Sequence, residues 1–355
     1  MDTIVNERIA ALHTLGTYLR SAIPYLIDDT LPHTEPSDPI VRNLVTAARK
    51  SKNANGWFTI ASIQSAWAAW AEQLTESHLV QWVEKYTVAS VSPKTIYLIL
   101  AGNIPMVGFH DLLSVLICGH KALVKLSSKD LYLISAITDV LIQIAPQFEK
   151  AIEIVTTPQK MYDAVIATGS TNTARYFEYY FADKPHIIRK SRTSIAILDG
   201  TETNAQLELL GKDIFQYFGL GCRNVSQLVV PENYDFTLFF EAMYSYKDVI
   251  YHSKYANNYD YNKAVYLMSN FKLLDNEFMI LKEDDSLYSP ISVIYYTKYK
   301  NRPQVEYYLK KYRENIQGIV SHGSYTEAIP FGTTQSPTLD TYADNVDTLR
   351  FLTKL

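Results

Sequence analysis

The residue with the sharpest chemical potential is Cys222, set in Gly219-Leu220-Gly221-Cys222-Arg223-Asn224. Two glycines allow a tight backbone path closed to larger residues. Such a turn can present a thiol in a cleft with its own backbone N–H aimed at whatever the thiol attacks. Arg223 adds positive potential that favours the thiolate. Read locally, a buried cysteine after a helix C-cap fits the same residues. A second feature is Gly102-Asn103-Ile104-Pro105, directly after an apolar run. Asn103 fits a helix cap and Pro105 a first helical turn; alternatively, the Asn103 amide donates to an oxyanion. Thr168-Gly169-Ser170 also joins an apolar run to a helix, where N–H groups and hydroxyls suit a pyrophosphate. Lys125-Leu126-Ser127-Ser128-Lys129 ends another run and suits a ribose with or without a 2′-phosphate, or a solvated loop.

Other chemistries find less support. The eight histidines show no H-E-x-x-H and no Cys/His ligand spacing, so no metal site is expected. A Cys–His hydrolase would need His186, His252 or His322 beside Cys222, and sequence places none of them there. No G-x-S-x-G elbow occurs, and no G-x-G-x-x-G follows a strand. Cys118 ends the apolar stretch Ser114–Cys118 and reads as core.

These residues need elements to hold them. Ile96–Ala101 is continuously apolar, as in a strand buried on both faces. A helix over 104–118, a strand over 122–126, a helix over 130–144 and strands over 152–155 and 164–167 follow. One or two more strands lie within 186–198. A helix over 203–218 leads to Cys222, and a strand covers 228–230. Helices over 234–246, 254–271 and 303–312 and strands near 278–281, 291–296 and 316–321 complete the pattern. Strands alternating with helices imply doubly wound parallel sheets, which bind ligands beyond their strand C-termini. Residues 1–90 are helical in pattern and read as a cap, with Pro32, Pro36 and Pro39 breaking its first two helices and its tryptophans as core. The expected division is 1–90 helical cap, 91–200 cofactor-binding domain, 201–328 catalytic cysteine domain, and 329–355 a segment that returns to the body.

The 355 residues suffice for two domains. A net charge of -4 leaves no basic surplus for nucleic acid. No stretch approaches the roughly 20 apolar residues of a membrane span. Met1–Arg8 lacks a basic leader with an apolar run, and only two cysteines are present, so a cytoplasmic chain is expected.

Taken in order, Gly102-Asn103-Ile104-Pro105, Val124-Lys125-Leu126-Ser127, Thr168-Gly169-Ser170, Gly221-Cys222 and Ser289-Pro290-Ile291 resemble the aldehyde dehydrogenase superfamily. Within it they look like the acyl-CoA reductases related to the fatty-acid reductase of bacterial luminescence. Pro330-Phe331-Gly332-Thr333-Thr334-Gln335-Ser336-Pro337 also looks like that reductase family. The resemblance runs from about residue 95 to the C-terminus and implies an α/β, aldehyde dehydrogenase-like fold. It implies that Cys222 attacks a thioester carbonyl, with Asn103 and the Cys222 N–H forming the oxyanion hole. Lys125 would bind the adenosine ribose and Ser170 the pyrophosphate, with Thr168 and Gly169 under the nicotinamide.

Departures from the superfamily shape the expected reaction. The glutamate that activates water in aldehyde dehydrogenases has no counterpart in His186–Ser194, which holds no carboxylate. A thioacyl intermediate is then spared hydrolysis, which favours reduction of a fatty acyl thioester to aldehyde over oxidation to acid. Another glutamate, which holds the nicotinamide ribose, falls at Ser286. The ribose-binding acid after the lysine is Ser128, which favours NADPH over NADH, with no metal. The expected partners are acyl-CoA or an acylated carrier protein, an acyl-protein synthetase as alternative donor, and further copies of the chain. The arginines and lysine at 189, 190 and 192 are candidates for CoA phosphates or for a solvated face. Rival readings are an aldehyde dehydrogenase or acyl-phosphate reductase of the same fold, and an inactive scaffold binding acyl carriers.

Overall fold

The computed structural model describes residues 2–27, 35–88, 92–323, 325 and 327–355; the break expected at Pro32 lies outside them. The chain divides into two units: 1–190 with 338–355, and 191–337.

The first unit opens with helices α1 (Thr3–Ala22), α2 (Pro39–Ala54), α3 (Ile60–Gln73) and α4 (Glu76–Val83). Their starts follow capping chemistry: Asp38 accepts from the N–H groups of Ile40 and Val41, at 2.7 and 3.1 Å, with Pro39 as first helical residue. Strand β1 (Thr95–Ile99), helix α5 (Phe109–Cys118), β2 (Lys121–Lys125), α6 (Tyr132–Ile144), β3 (Ile152–Ile154), β4 (Ala164–Thr168), α7 (Thr171–Tyr180) and β5 (His186–Arg189) follow. All pairings in this sheet are parallel, in the order β3-β2-β1-β4-β5. The order reverses direction between β1 and β4, which makes their C-terminal ends the switch point of a doubly wound sheet. The helices α1 to α4 share one apolar core with α5, α6 and one face of this sheet. They belong to the first unit and form no unit of their own.

Helix α5 begins at Phe109, five residues later than the sequence pattern implies. Met106 takes a left-handed conformation (φ 59°), and its N–H donates to the Asp130 carboxylate at 2.8 Å. Gly108, not Asn103, stands at the N-cap.

The second unit contains β6 (Thr193–Ile197), α8 (Asn204–Phe215), β7 (Val225–Pro231), α9 (Thr237–Met243), α10 (Ser253–Met268), β8 (Leu273–Asp275), β9 (Ile280–Glu283), β10 (Val293–Tyr299), α11 (Arg302–Lys311), β11 (Ile316–Val320) and β12 (Ala328–Ile329). Its sheet runs β12-β11-β6-β7-β10-β9-β8, parallel except for the edge strand β8. Residues 186–198 therefore feed two sheets, β5 closing the first and β6 lying inside the second. That places the division after Lys190, ten residues before the expected 200, because β6 pairs with β7 and β11. The returning segment is also shorter than 329–355: residues to Pro337 stay with the second unit. From Thr338 the chain rejoins the first unit, where α12 (Thr348–Leu352) places Leu349 and Leu352 in its core. Among the described residues no helix is long and apolar enough to cross a membrane.

Candidate active site

The first unit gathers Asn103, Lys125, Ser127, Ser128, Thr168, Gly169 and Ser170 on the loops beyond the C-terminal ends of β1, β2 and β4. Ile99 lies between Lys125 and Ala167 in register, so the three loops are neighbours. Gly102 is required here: a Cβ on it would stand 2.6 Å from Ser127 Oγ and 3.1 Å from Asp130 Cβ. The Asn103 turn and the Lys125–Asp130 loop are thus packed backbone to side chain. Ser170 caps α7, its hydroxyl accepting from Thr173 N at 3.2 Å. Gly169 approaches the same helix closely, since a Cβ there would meet Thr173 at 3.0 Å. The arrangement offers a helix N-terminus, hydroxyls and the half-buried Lys125 ammonium at a switch point, a donor set suited to a dinucleotide's phosphates.

Sequence reasoning passed over Asp130. It is 2% exposed; one carboxylate oxygen accepts from Met106 N and the other is buried without a hydrogen-bond partner. Burial pushes its pKa up to about 7, against the pull of nearby backbone N–H groups. The side chain fixes the turn that carries Asn103. Capping, one reading of Asn103, is excluded by the start of α5 at Phe109.

In the second unit Cys222 is half-buried and forms no disulfide. It follows a turn in which Tyr217 (φ 55°), Phe218 (φ 59°) and Gly219 (φ 75°) are successively left-handed. Two bulky residues there store strain, which persists only because the surroundings hold them. Tyr217 is buried, and the Phe218 ring packs on His252 with centroids 4.3 Å apart. The hold on the cysteine side is Asn224, 1% exposed. Its Oδ1 accepts from Gly221 N at 2.9 Å, and its Nδ2 donates to the carbonyls of Asp213, Ile214 and Gln216 at 3.0, 3.3 and 2.8 Å. One amide side chain therefore closes the end of α8, the left-handed turn and the start of β7. Ser194 Oγ donates to the Cys222 carbonyl at 3.3 Å. Cys118 is core, and burial pushes its thiol up to about 12.

The remaining candidates fall elsewhere. Arg189 is 3% exposed and pairs with Asp111, so it cannot contact a CoA phosphate. Lys190 pairs with Glu178 at the surface, and Arg192 donates to the Ile316 carbonyl at 3.4 Å. His186 bonds to the carbonyls of Phe181 and Lys184 in the first unit, while His252 Nδ1 caps α10. Ser286 N donates to Asp284 Oδ1 at 2.9 Å, in a loop held by Ser226 Oγ on the Leu287 carbonyl. Asp199, Glu202 and His322 bring metal-type ligand atoms within 4.8 Å of one another. Hydrogen bonds account for that grouping: Glu202 accepts from the N–H groups of Asp199 and Gly200, and His322 Nε2 lies 3.3 Å from Asp199 Oδ1.

The family described as acyl-CoA reductase (LuxC) matches residues 76–237, a span that takes in Asn103, Lys125, Ser127, Ser128, Thr168, Gly169, Ser170 and Cys222. Solved structures share the fold at low identity. Aldehyde dehydrogenase 21 of Physcomitrella patens, in complex with its product succinate, is 12% identical with a TM-score of 0.66, over 99% of this chain and 84% of that one. An aldehyde dehydrogenase assignment from Burkholderia cenocepacia is 12% identical with a TM-score of 0.65, over 90% and 75%. A mutant P. syringae indole-3-acetaldehyde dehydrogenase, AldA, in complex with NAD+ is 10% identical with a TM-score of 0.63, over 90% and 72%. No curated protein matches the sequence.

Residues 76–237 thus match the acyl-CoA reductase (LuxC) family, and the chain has the fold of the aldehyde dehydrogenases. Within this fold, the first sheet carries the candidate cofactor loops and the second sheet the cysteine.

Proposed function

We propose that this chain reduces a long-chain fatty acyl thioester, acyl-CoA foremost, to its aldehyde through a thioacyl group on Cys222. The carrying observation is Cys222 itself, held after a strained left-handed turn by the buried Asn224, inside the LuxC-matched span. The Cys222 thiolate attacks the thioester carbonyl and the CoA thiolate leaves, splitting one difficult reduction into two easier steps. Asn103 Nδ2 and the Cys222 N–H are the proposed donors to the oxyanion. When bound, a nicotinamide cofactor would supply the hydride, and the thioacyl group on Cys222 would accept it to give a thiohemiacetal. Collapse of that adduct expels the Cys222 thiolate and frees the aldehyde.

Lys125, Ser127 and Ser128 are the proposed contacts to the adenosine ribose, Ser170 with the α7 N-terminus to the pyrophosphate, and Thr168 with Gly169 to the nicotinamide side. NADPH is the proposed cofactor. The one carboxylate in the Lys125–Asp130 loop is Asp130, and it is buried against Met106 N. Buried there, it cannot accept from a ribose hydroxyl.

Reduction rather than hydrolysis is supported by the crossover at 186–194. Residues 186–194 offer no carboxylate to activate water. The acyl donor is proposed as acyl-CoA or an acylated carrier protein, with an acyl-protein synthetase as alternative source, and the enzyme as a homo-oligomer. Product analysis with long-chain acyl-CoA and NADPH tests the reading: free CoA and aldehyde are expected in equal amounts. Free acid would make the chain an aldehyde dehydrogenase or hydrolase, and activity only with an acyl phosphate would make it a phosphate-releasing reductase.

A further inference from the structure

The segment Pro330–Pro337 has no place in the reaction as proposed, yet it is wired to the cysteine turn within the second unit. Gly332 is left-handed (φ 81°), and a Cβ there would meet Leu209 on α8 at 3.2 Å. Its N–H donates to Asp213 Oδ2 at 2.6 Å. Thr334 donates twice to Asp213 Oδ1, from its N–H at 3.1 Å and from Oγ1 at 2.8 Å. Asp213 is wholly buried on α8, so the tail is the source of its carboxylate's three donors. The Asp213 carbonyl in turn accepts from Asn224 Nδ2, and Asn224 Oδ1 accepts from Gly221 N, next to Cys222. Every link is a direct hydrogen bond between buried groups, where low dielectric makes each bond strong and its loss costly.

We propose that Gly332–Thr334 is a positioning element for the nucleophile, acting on Cys222 through Asp213 and Asn224. The proposal rests on Cys222 being the nucleophile. It assigns Thr334 and Asp213 as positioning residues that touch neither substrate nor cofactor. The geometry is economical: the tail fixes α8 by its side chain, and α8 fixes the turn by its carbonyls. Displacing a reacting group by an ångström lowers its rate steeply without altering binding elsewhere.

The test uses the full chain with Thr334→Val, Thr334→Ser and Asp213→Asn, and Ser336→Ala as control, since Ser336 is exposed and outside the network. Iodoacetamide alkylation of Cys222 is followed by mass spectrometry across pH, alongside kcat and KM for acyl-CoA. Thr334→Val and Asp213→Asn should slow both alkylation and kcat by roughly tenfold or more, with KM held within about twofold. Thr334→Ser should restore the wild-type pH profile. Folded Thr334→Val protein that alkylates at the wild-type rate would overturn the proposal. If Asp213→Asn fails to fold, Thr334→Val, which removes one hydroxyl, still decides. If wild-type Cys222 is itself unreactive, the proposed reaction falls, and the coupling is read instead from amide deuterium uptake over residues 219–224. Faster uptake there in Thr334→Val would support the coupling, and unchanged uptake would refute it.

Discussion

Arg189 Nη2 donates to Asp111 Oδ1 at 2.7 Å, and Arg189 Nε to Asp111 Oδ2 at 3.2 Å, a forked ion pair joining the end of β5 to α5. The guanidinium also donates to the Ala343 carbonyl and to Thr348 Oγ1, at 2.7 and 2.8 Å. A basic residue that the sequence offers to a phosphate or to a solvated face is thus a buried clasp on the returning C-terminal segment.

Removing one partner of a buried pair leaves the other charged and unsolvated, which costs about 3–5 kcal/mol. Asp111→Ala should lower the thermal midpoint by several degrees. Lys190→Ala, which breaks an exposed pair with Glu178, should change stability by less than about 1 kcal/mol. Thermal melts of the two variants check this, and neither should show a specific rise in KM for acyl-CoA.

Asp130 gives a pH dependence. Its folded pKa, about 7, lies above the unfolded carboxylate value near ~4. The contribution is present in full below pH ~4 and is lost as pH rises through about 7. Asp130→Asn keeps an oxygen to accept from Met106 N and cannot ionise. Its stability should match wild type at low pH and exceed it at pH 8 by up to about 4 kcal/mol. Melts across this range measure the difference; parallel curves for the two proteins would contradict the account.

Much of this was legible in the sequence, for physical reasons. Continuous apolar runs such as Ile96–Ala101 and Ala122–Val124 announce strands covered on both faces, and their alternation with helices gives the doubly wound sheets. Gly219 marks one left-handed position of the Cys222 turn, while Tyr217 and Phe218, left-handed beside it, leave no such mark. Periodicity identifies a strand but not its sheet, so the passage of residues 186–198 from one sheet to the other was not readable. Nor was the late start of α5, imposed by the contact between Met106 and Asp130, distant in sequence. Leu273–Asp275, the edge strand β8, is too short to read. Asn224 and Asp213 were missed because their partners are backbone groups and, for Asp213, one hydroxyl distant in sequence, which leave no local pattern.

The cofactor reading turns on Ser128, exposed on the loop after β2. Ser128→Asp should place a carboxylate where a 2′-phosphate is proposed and lower the preference for NADPH over NADH by roughly tenfold or more. Comparing kcat/KM for the two cofactors in wild type and variant measures it.

Gly102→Ala should disrupt the same cradle from the other side. The added methyl would collide with Ser127 Oγ and Cβ, at 2.6 and 2.7 Å, and force the Asn103 turn from the β2 loop. Weaker cofactor binding and a lower thermal midpoint are expected together, at a cost of about 1–3 kcal/mol. Nucleotide titration and a melt of the variant read both.

The most direct measurement is single-turnover acylation. Wild type and Cys222→Ala are mixed with radiolabelled long-chain acyl-CoA without cofactor and quenched in acid, with NADPH added to a parallel sample. Label should attach to wild type alone and leave as aldehyde on adding NADPH. Label on the Cys222→Ala protein, no label on either, or its release as free acid would contradict the central claim.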